Sequence, residues 1–162
     1  MASWPKAKQL AMISRLLEEE LDEGIAWSKE EEQDRNGVLS RTYNLCRDEN
    51  VALRHRCHFL APLQLQLMLT PAFGLITIGF FCLPECDRNK GLGVKTISKL
   101  EDFSKSLGYT ALTLNAMLGC EEFWQKCGFA AVSSGGWVRY PRPMIKLLRS
   151  NVRPEIGLCR IG

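Results

Sequence analysis

Hydrophobic residues recur along this chain at two spacings, and the switches between them mark out the elements. Leu10, Ile13, Leu16, Leu17 and Leu21 lie three or four apart, or adjacent on one face. This predicts a helix over residues 6–21 with one apolar stripe, ended by Gly24. Ser28 followed three residues later by Glu31 has the form of a capping box. It predicts a second, short and very polar helix whose acidic run Glu30-Glu31-Glu32 faces water. Residues 37–61 read as a β-hairpin turning at Arg47-Asp48-Glu49-Asn50. Its second strand alternates Val51, Leu53, His55, Cys57 and Phe59 with the polar Arg54, Arg56 and His58. Residues 62–73 read as either a short strand or an irregular excursion.

Residues 74–83 form the most strand-like segment, stopped by Pro84 and followed by a glycine-containing loop. Val94, Ile97, Leu100, Phe103 and Leu107 then predict an amphipathic helix closed by Gly108. A short strand is expected over residues 111–115 and a short helix over 121–126, ending at Gly128. Residues 129–133 and 137–148 read as a final hairpin around Ser134-Gly135-Gly136. Pro141 and Pro143 cannot donate to a ladder, so the last strand is expected at a sheet edge or bulged. The reading is one domain over 1–148 and a C-terminal tail over 149–162.

Composition narrows the function classes. A chain of 162 residues suits a single core, and 46% hydrophobic with 24% charged residues is ordinary for a globular protein. A net charge of +3 is too mild to argue for nucleic acid and suits a small anionic ligand as well. No apolar run is long enough for a membrane span, and residues 1–21 lack the apolar core of a secretory signal. Seven cysteines without Cys-x-x-Cys spacing read as reduced, mostly buried thiols in a cytoplasmic protein, and no metal site is expected. Cys120 belongs with them as a small buried residue.

The candidate chemistry lies where the strongest strand meets the strongest helix. The first N–H groups of a helix lack partners within it, and its dipole adds positive character there, so a strand, a glycine loop and a helix together favour anions. Gly91 and Gly93 would let phosphate oxygens reach the main chain, with Arg88 and Lys90 adding charge at the rim. A P-loop would need Lys directly after its second glycine, but Val94 intervenes before Lys95. A dinucleotide fingerprint would need a small residue where Thr96 stands.

The run Arg88-Asn89-Lys90-Gly91-Leu92-Gly93 instead resembles the Gln/Arg-x-x-Gly-x-Gly/Ala pattern of the GNAT acetyltransferase superfamily. Cys82-Leu83-Pro84-Glu85 resembles the strand end that leads into that loop, and Phe123-Trp124-Gln125-Lys126-Cys127-Gly128-Phe129 the family's Phe-Tyr-x-Lys-x-Gly-Phe segment. The resemblance covers roughly the C-terminal half of the chain. It implies an α/β GNAT fold, a mixed central sheet with two parallel strands splayed apart and helices flanking it. It also implies acetyl-CoA as cofactor, its pantetheine arm paired near Phe81, Cys82 and Leu83. The pyrophosphate would lie on the N–H groups of Arg88, Asn89, Lys90, Gly91, Leu92, Gly93 and Val94. The activity implied is acetyl transfer to a primary amine of a protein or small molecule entering from the other side. Gly79 could form the bulge that opens the sheet.

The proton-transfer groups are harder to read. Trp124 occupies the position where family members place an acidic tyrosine, and an indole N–H is far too weak an acid to replace it. His58, Glu85 and Tyr140 are the candidates for moving a proton, with Glu121 and Glu122 read as surface charges. A second reading follows: a GNAT-fold protein that binds coenzyme A, turns over weakly or not at all, and modulates a protein partner. A homodimer paired through the proline-bearing last strand or the tail is a further expectation.

Overall fold

The computed structural model describes residues 1–21, 24–47, 63–132 and 140–148. The elements in chain order are α1 (Ala7–Leu21), β1 (Ile25–Arg35), β2 (Val38–Arg47), β3 (Gln64–Thr70), β4 (Leu75–Cys82), α2 (Leu92–Ser106), β5 (Ala111–Ala116), α3 (Glu121–Lys126), β6 (Ala130–Ala131) and β7 (Arg142–Leu147). The seven strands form one sheet in the order β1-β2-β3-β4-β5-β7-β6. All neighbours run antiparallel except β4 and β5, which are parallel and joined through α2.

The amphipathic helices form where the periodicity places them. Ile13 and Leu17 of α1 are fully buried, as are Leu100 and Phe103 of α2. Both helices join one core with a single face of the sheet, built from Leu45, Leu65, Leu67, Ile76, Ile78, Leu112, Leu114 and Met144. Burying one such aliphatic side chain contributes about 1.5–3 kcal/mol, so this face carries most of the stabilisation. Trp27 adds a tie, its indole N–H donating to the Leu10 carbonyl at 2.9 Å. No helix among the described residues is long and apolar enough to cross a membrane.

One expectation is corrected and one left open is settled. Ser28 and Glu31 do not cap a helix: they flank a register shift inside strand β1. The tight turn at Asn36 (φ 55) and Gly37 (φ 77) pairs β1 with β2. Two left-handed residues at such a turn match the twist of the flanking strands. Asp34 Oδ1 closes it by accepting the Gly37 N–H at 2.9 Å. The ambiguous stretch before residue 73 is strand β3, in the middle of the sheet, with Leu65, Leu67 and Leu69 buried. The second strand of the expected 37–61 hairpin, the turn at 134–136 and the tail from 149 lie outside the described residues.

The last strand is not at an edge. β7 lies between β5 and β6, and its proline is accommodated because β6 spans only two residues. Pro143 accepts the Val132 N–H at 2.9 Å, so its missing donor falls where β6 ends. The thiols also differ from expectation: of Cys46, Cys82, Cys120 and Cys127, all free, only Cys127 is buried, and Cys120 is exposed.

Candidate functional site

β4 and β5 run side by side and then part. Their parallel pairing extends from Leu75↔Ala111 to Ile78↔Leu114 and goes no further, although β4 continues to Cys82 and β5 to Ala116. Beyond that point β4 follows β3 through Leu65↔Phe81, and β5 follows β7 through Ala116↔Arg142. One extra residue accompanies the split. Between Leu67↔Ile78 and Gln66↔Phe80 the register shifts by one at Gly79, and such a bulge bends a strand and increases its twist. The sequence expectation of a bulge there is met. Past the bulge, the β5-facing main chain of Gly79, Phe80, Phe81 and Cys82 has no strand to pair with.

β4 leads through a single turn, Glu85–Asp87, into the glycine loop and α2. Asn89 (φ 62) and Gly91 (φ 82) both adopt the left-handed region and turn the chain back on itself. The first helical hydrogen bond runs from Lys95 N–H to the Gly91 carbonyl at 3.1 Å. The N–H groups of Leu92, Gly93 and Val94 therefore have no partner within α2, and no side chain caps this end. Gly91 and Val94 are exposed at the start of the helix, while Leu92 and Gly93 between them are buried.

The two glycines turn out to have different reasons. A Cβ on Gly91 would meet nothing within 4 Å, so it is the left-handed backbone that requires glycine there. A Cβ on Gly93 would stand 3.0 Å from Phe123 Cε2 and 3.1 Å from its Cζ. Gly93 thus lets the α3 ring pack against the start of α2. Arg88 is likewise no free rim charge: its Nε donates to the Leu83 carbonyl at 3.0 Å, and a terminal nitrogen lies 3.6 Å from Cys82 Sγ. It fastens the loop to the end of β4. Lys90, 3.5 Å from Asp87 and well exposed, is the cation left at the rim.

α3 closes the helical side of the gap with aromatic rings. Trp124 is 7% exposed, and its ring centroid lies 4.9 Å from that of Phe123, 5.4 Å from Phe129 and 6.2 Å from Phe81 on the splayed part of β4. At the start of α3, Glu121 accepts from Tyr140 O–H on one oxygen and from Arg142 at 2.6 Å on the other. The Tyr140 hydrogen bond, with help from Arg142, holds the Glu121 carboxyl below its ordinary range, and the same bond pushes the Tyr140 phenol up. Neither group is poised to exchange a proton near neutral pH. The structure places Tyr140 with α3, on the helical side of the sheet.

The remaining candidates fall away from the gap or outside view. Glu85 is exposed in the turn after Pro84. His58 lies outside the described residues. Burial pushes the Cys127 thiol up, against a smaller opposing pull from Lys146, which suits a packed cysteine and not a nucleophile.

Sequence reasoning missed the other face of the sheet. Gln66 Nε2 donates to Asn44 Oδ1 at 2.9 Å, and the Thr77 and Thr113 hydroxyls share a hydrogen bond of 2.9 Å. Their registers, Asn44↔Gln66, Met68↔Thr77 and Thr77↔Thr113, put all four on the side away from the helical core. They form two uncharged pairs on that face, Asn44 with Gln66 across β2 and β3 and Thr77 with Thr113 across β4 and β5, offset along the strands with Met68 opposite Thr77. The alternation of Gln64 and Gln66 with Leu63, Leu65 and Leu67 was the signal available for it.

No family model matches the chain, and no curated protein matches it. Solved structures do. Tetrahymena GCN5 superposes with a TM-score of 0.51 at 12% identity, over 68% of this chain and 71% of that one. An aminoglycoside 6'-N-acetyltransferase complexed with coenzyme A gives 0.48 at 11% identity, over 69% and 76%. Spermidine N-acetyltransferase from Vibrio cholerae, in complex with CoA and spermine, gives 0.42 at 11%, over 67% and 66%. At such identity the shared property is architecture: this chain has the fold of Tetrahymena GCN5.

Proposed function

We propose that the protein is an acyltransferase that takes an acetyl group from acetyl-CoA and passes it to a primary amine. The observation that carries this reading is the parting of β4 and β5 at Ile78 and Leu114, before a helix start whose first amides have no side-chain cap and no partner within the helix. The N–H groups of Leu92, Gly93 and Val94 suit a pyrophosphate, with Lys90 adding charge. The unpaired main chain of residues 79–82 suits the two amides of a pantetheine arm. Arg88 already occupies the Leu83 carbonyl, so that predicted contact would require the guanidinium to move.

Acetyl-CoA supplies an activated thioester. With acetyl-CoA held in the gap by the main chain of residues 79–82 and the amides of Leu92, Gly93 and Val94, the amine would approach from the face of the sheet away from α2 and α3. Its lone pair attacks the thioester carbonyl carbon, the N–C bond forms, the C–S bond breaks and sulfur takes the electron pair. The proton lost by the amine passes to the thiolate or to solvent. Among the described residues no group stands ready to donate it, since Trp124 cannot and Tyr140 is committed to Glu121. A thiolate leaves without help more readily than an alkoxide, so the step proceeds more slowly but does not need an acid.

The test is to supply acetyl-CoA with a panel of primary amines and to measure thiol release and cofactor affinity together. Turnover supports the reading. Tight binding without turnover on any amine favours the second reading, a coenzyme A-binding protein that modulates a partner, in keeping with Trp124 standing where an acidic tyrosine would be. No binding removes both.

A further inference from the structure

Gly79 does not adopt a positive φ, so its backbone conformation alone does not explain the missing side chain. What stands beside it is the far end of one flexible side chain, that of Gln66. A Cβ at Gly79 would collide with Gln66 Oε1 and lie 3.3 Å from Gln66 Cδ. Gln66 reaches this position because its register partner Asn44 accepts from its Nε2 at 2.9 Å, which leaves Oε1 turned toward the bulge. The glycine and the cross-strand amide pair thus act together: one clears the space, the other fills it with a carbonyl oxygen.

That oxygen sits at the residue where β4 leaves β5, on the face away from α2 and α3. We propose that Gln66 is a contact for the acceptor amine, its Oε1 accepting one N–H of the incoming nitrogen and so aiming the lone pair into the gap. The proposal rests on the acyltransfer reading and adds to it the residue that orients the nucleophile. The amide takes no proton. It receives a hydrogen bond, while the N–C bond forms and the C–S bond breaks as described above.

The chemistry around the oxygen favours a neutral amine. Gln66, Asn44, Thr77 and Thr113 are all uncharged, and β3, β4 and β5 carry no carboxylate. A carboxylate at this point would hold an ammonium in its protonated, non-nucleophilic form. An amide oxygen favours the charged form far less strongly, so it can hold the nitrogen while the lone pair stays available.

The experiment compares the wild type with Gln66→Leu and Gln66→Glu. It uses acetyl-CoA and whichever of an aralkylamine, a lysine peptide and a polyamine is turned over fastest. Losing one hydrogen bond should lower kcat/KM for the amine roughly tenfold in Gln66→Leu, mainly through acceptor KM. Coenzyme A affinity, measured separately by calorimetry, should stay within about twofold, and Gln66→Glu, which keeps an acceptor oxygen but favours the ammonium, should hold acceptor KM near the wild type while moving the rise of kcat to higher pH. Gln66→Ala serves as a second truncation if the leucine variant folds poorly. The proposal is overturned if the truncations leave acceptor KM unchanged, if they weaken coenzyme A to the same extent, or if Gln66→Glu leaves the pH dependence of kcat unchanged. A wild type that turns over an amine while these variants behave identically sinks this proposal alone. A wild type that binds acetyl-CoA and acetylates nothing sinks the acyltransfer reading and this one with it.

Discussion

At Gly91 the main chain holds φ at 82°, a conformation that costs an L-residue about 1–2 kcal/mol, and more if it is β-branched. Gly91→Val should therefore lose at least that much stability in chemical denaturation and also weaken coenzyme A in a binding titration. Gly93→Val works differently, forcing the Phe123 ring away from the start of α2. It should alter the aromatic near-ultraviolet dichroism, which Gly91→Val leaves alone. At Trp124 the packing against Phe81, Phe123 and Phe129 is dense enough that truncation to alanine should cost about 3–5 kcal/mol. A Trp124→Ala variant as stable as the wild type would mean the aromatic cluster does not close the gap.

Among the elements, α2, α3 and β7 are clamped by one carboxylate. Glu101 of α2 bonds Lys105 at 2.6 Å and Lys146 of β7, while Lys146 also donates to the Cys127 carbonyl at the end of α3, at 2.8 Å. Burial pushes the Glu101 carboxyl up, but the two lysines together outweigh it and hold it below its ordinary value. In the window between folded and unfolded pKa the unfolded chain binds the extra proton, so stability rises with pH there. The clamp is complete above the ordinary carboxylate range, about pH 4.5, and fades as pH falls through the lowered value. Thermal unfolding from about pH 6 to pH 3 should show a shallower acid loss in Glu101→Gln than in the wild type. Parallel curves would show that the clamp contributes nothing. Elements of this kind were legible unequally. α1, α2 and α3 were visible because a helical stripe is a local pattern. β1 was not, because Ser28 and Glu31 satisfy a local helix rule while the Asn36-Gly37 turn and pairing with β2 decide otherwise. β3 was ambiguous for the same reason: its leucines alternate, but only its neighbours on both sides reveal a central strand.

For the whole molecule, the loop was readable from the C-terminal half, where strand, glycines and helix lie within some thirty residues of one another, and the split sheet was implied by the resemblance those residues carry. What the sequence concealed was which side chains the sheet brings together. Asn44, Gln66, Thr77 and Thr113 are far apart in the chain, and only the register across β2 to β5 puts them on one face as two hydrogen-bonded pairs. Gly93 and Arg88 were visible as letters in the loop, but their packing roles depend on α3 and on the end of β4. The most direct test of the account is an amide-resolved nuclear magnetic resonance titration with coenzyme A. Saturable shifts should concentrate at Gly91, Leu92, Gly93 and Val94 and along residues 79–82, and should disappear in Gly91→Val. No binding, or shifts confined to other parts of the sheet, would contradict it.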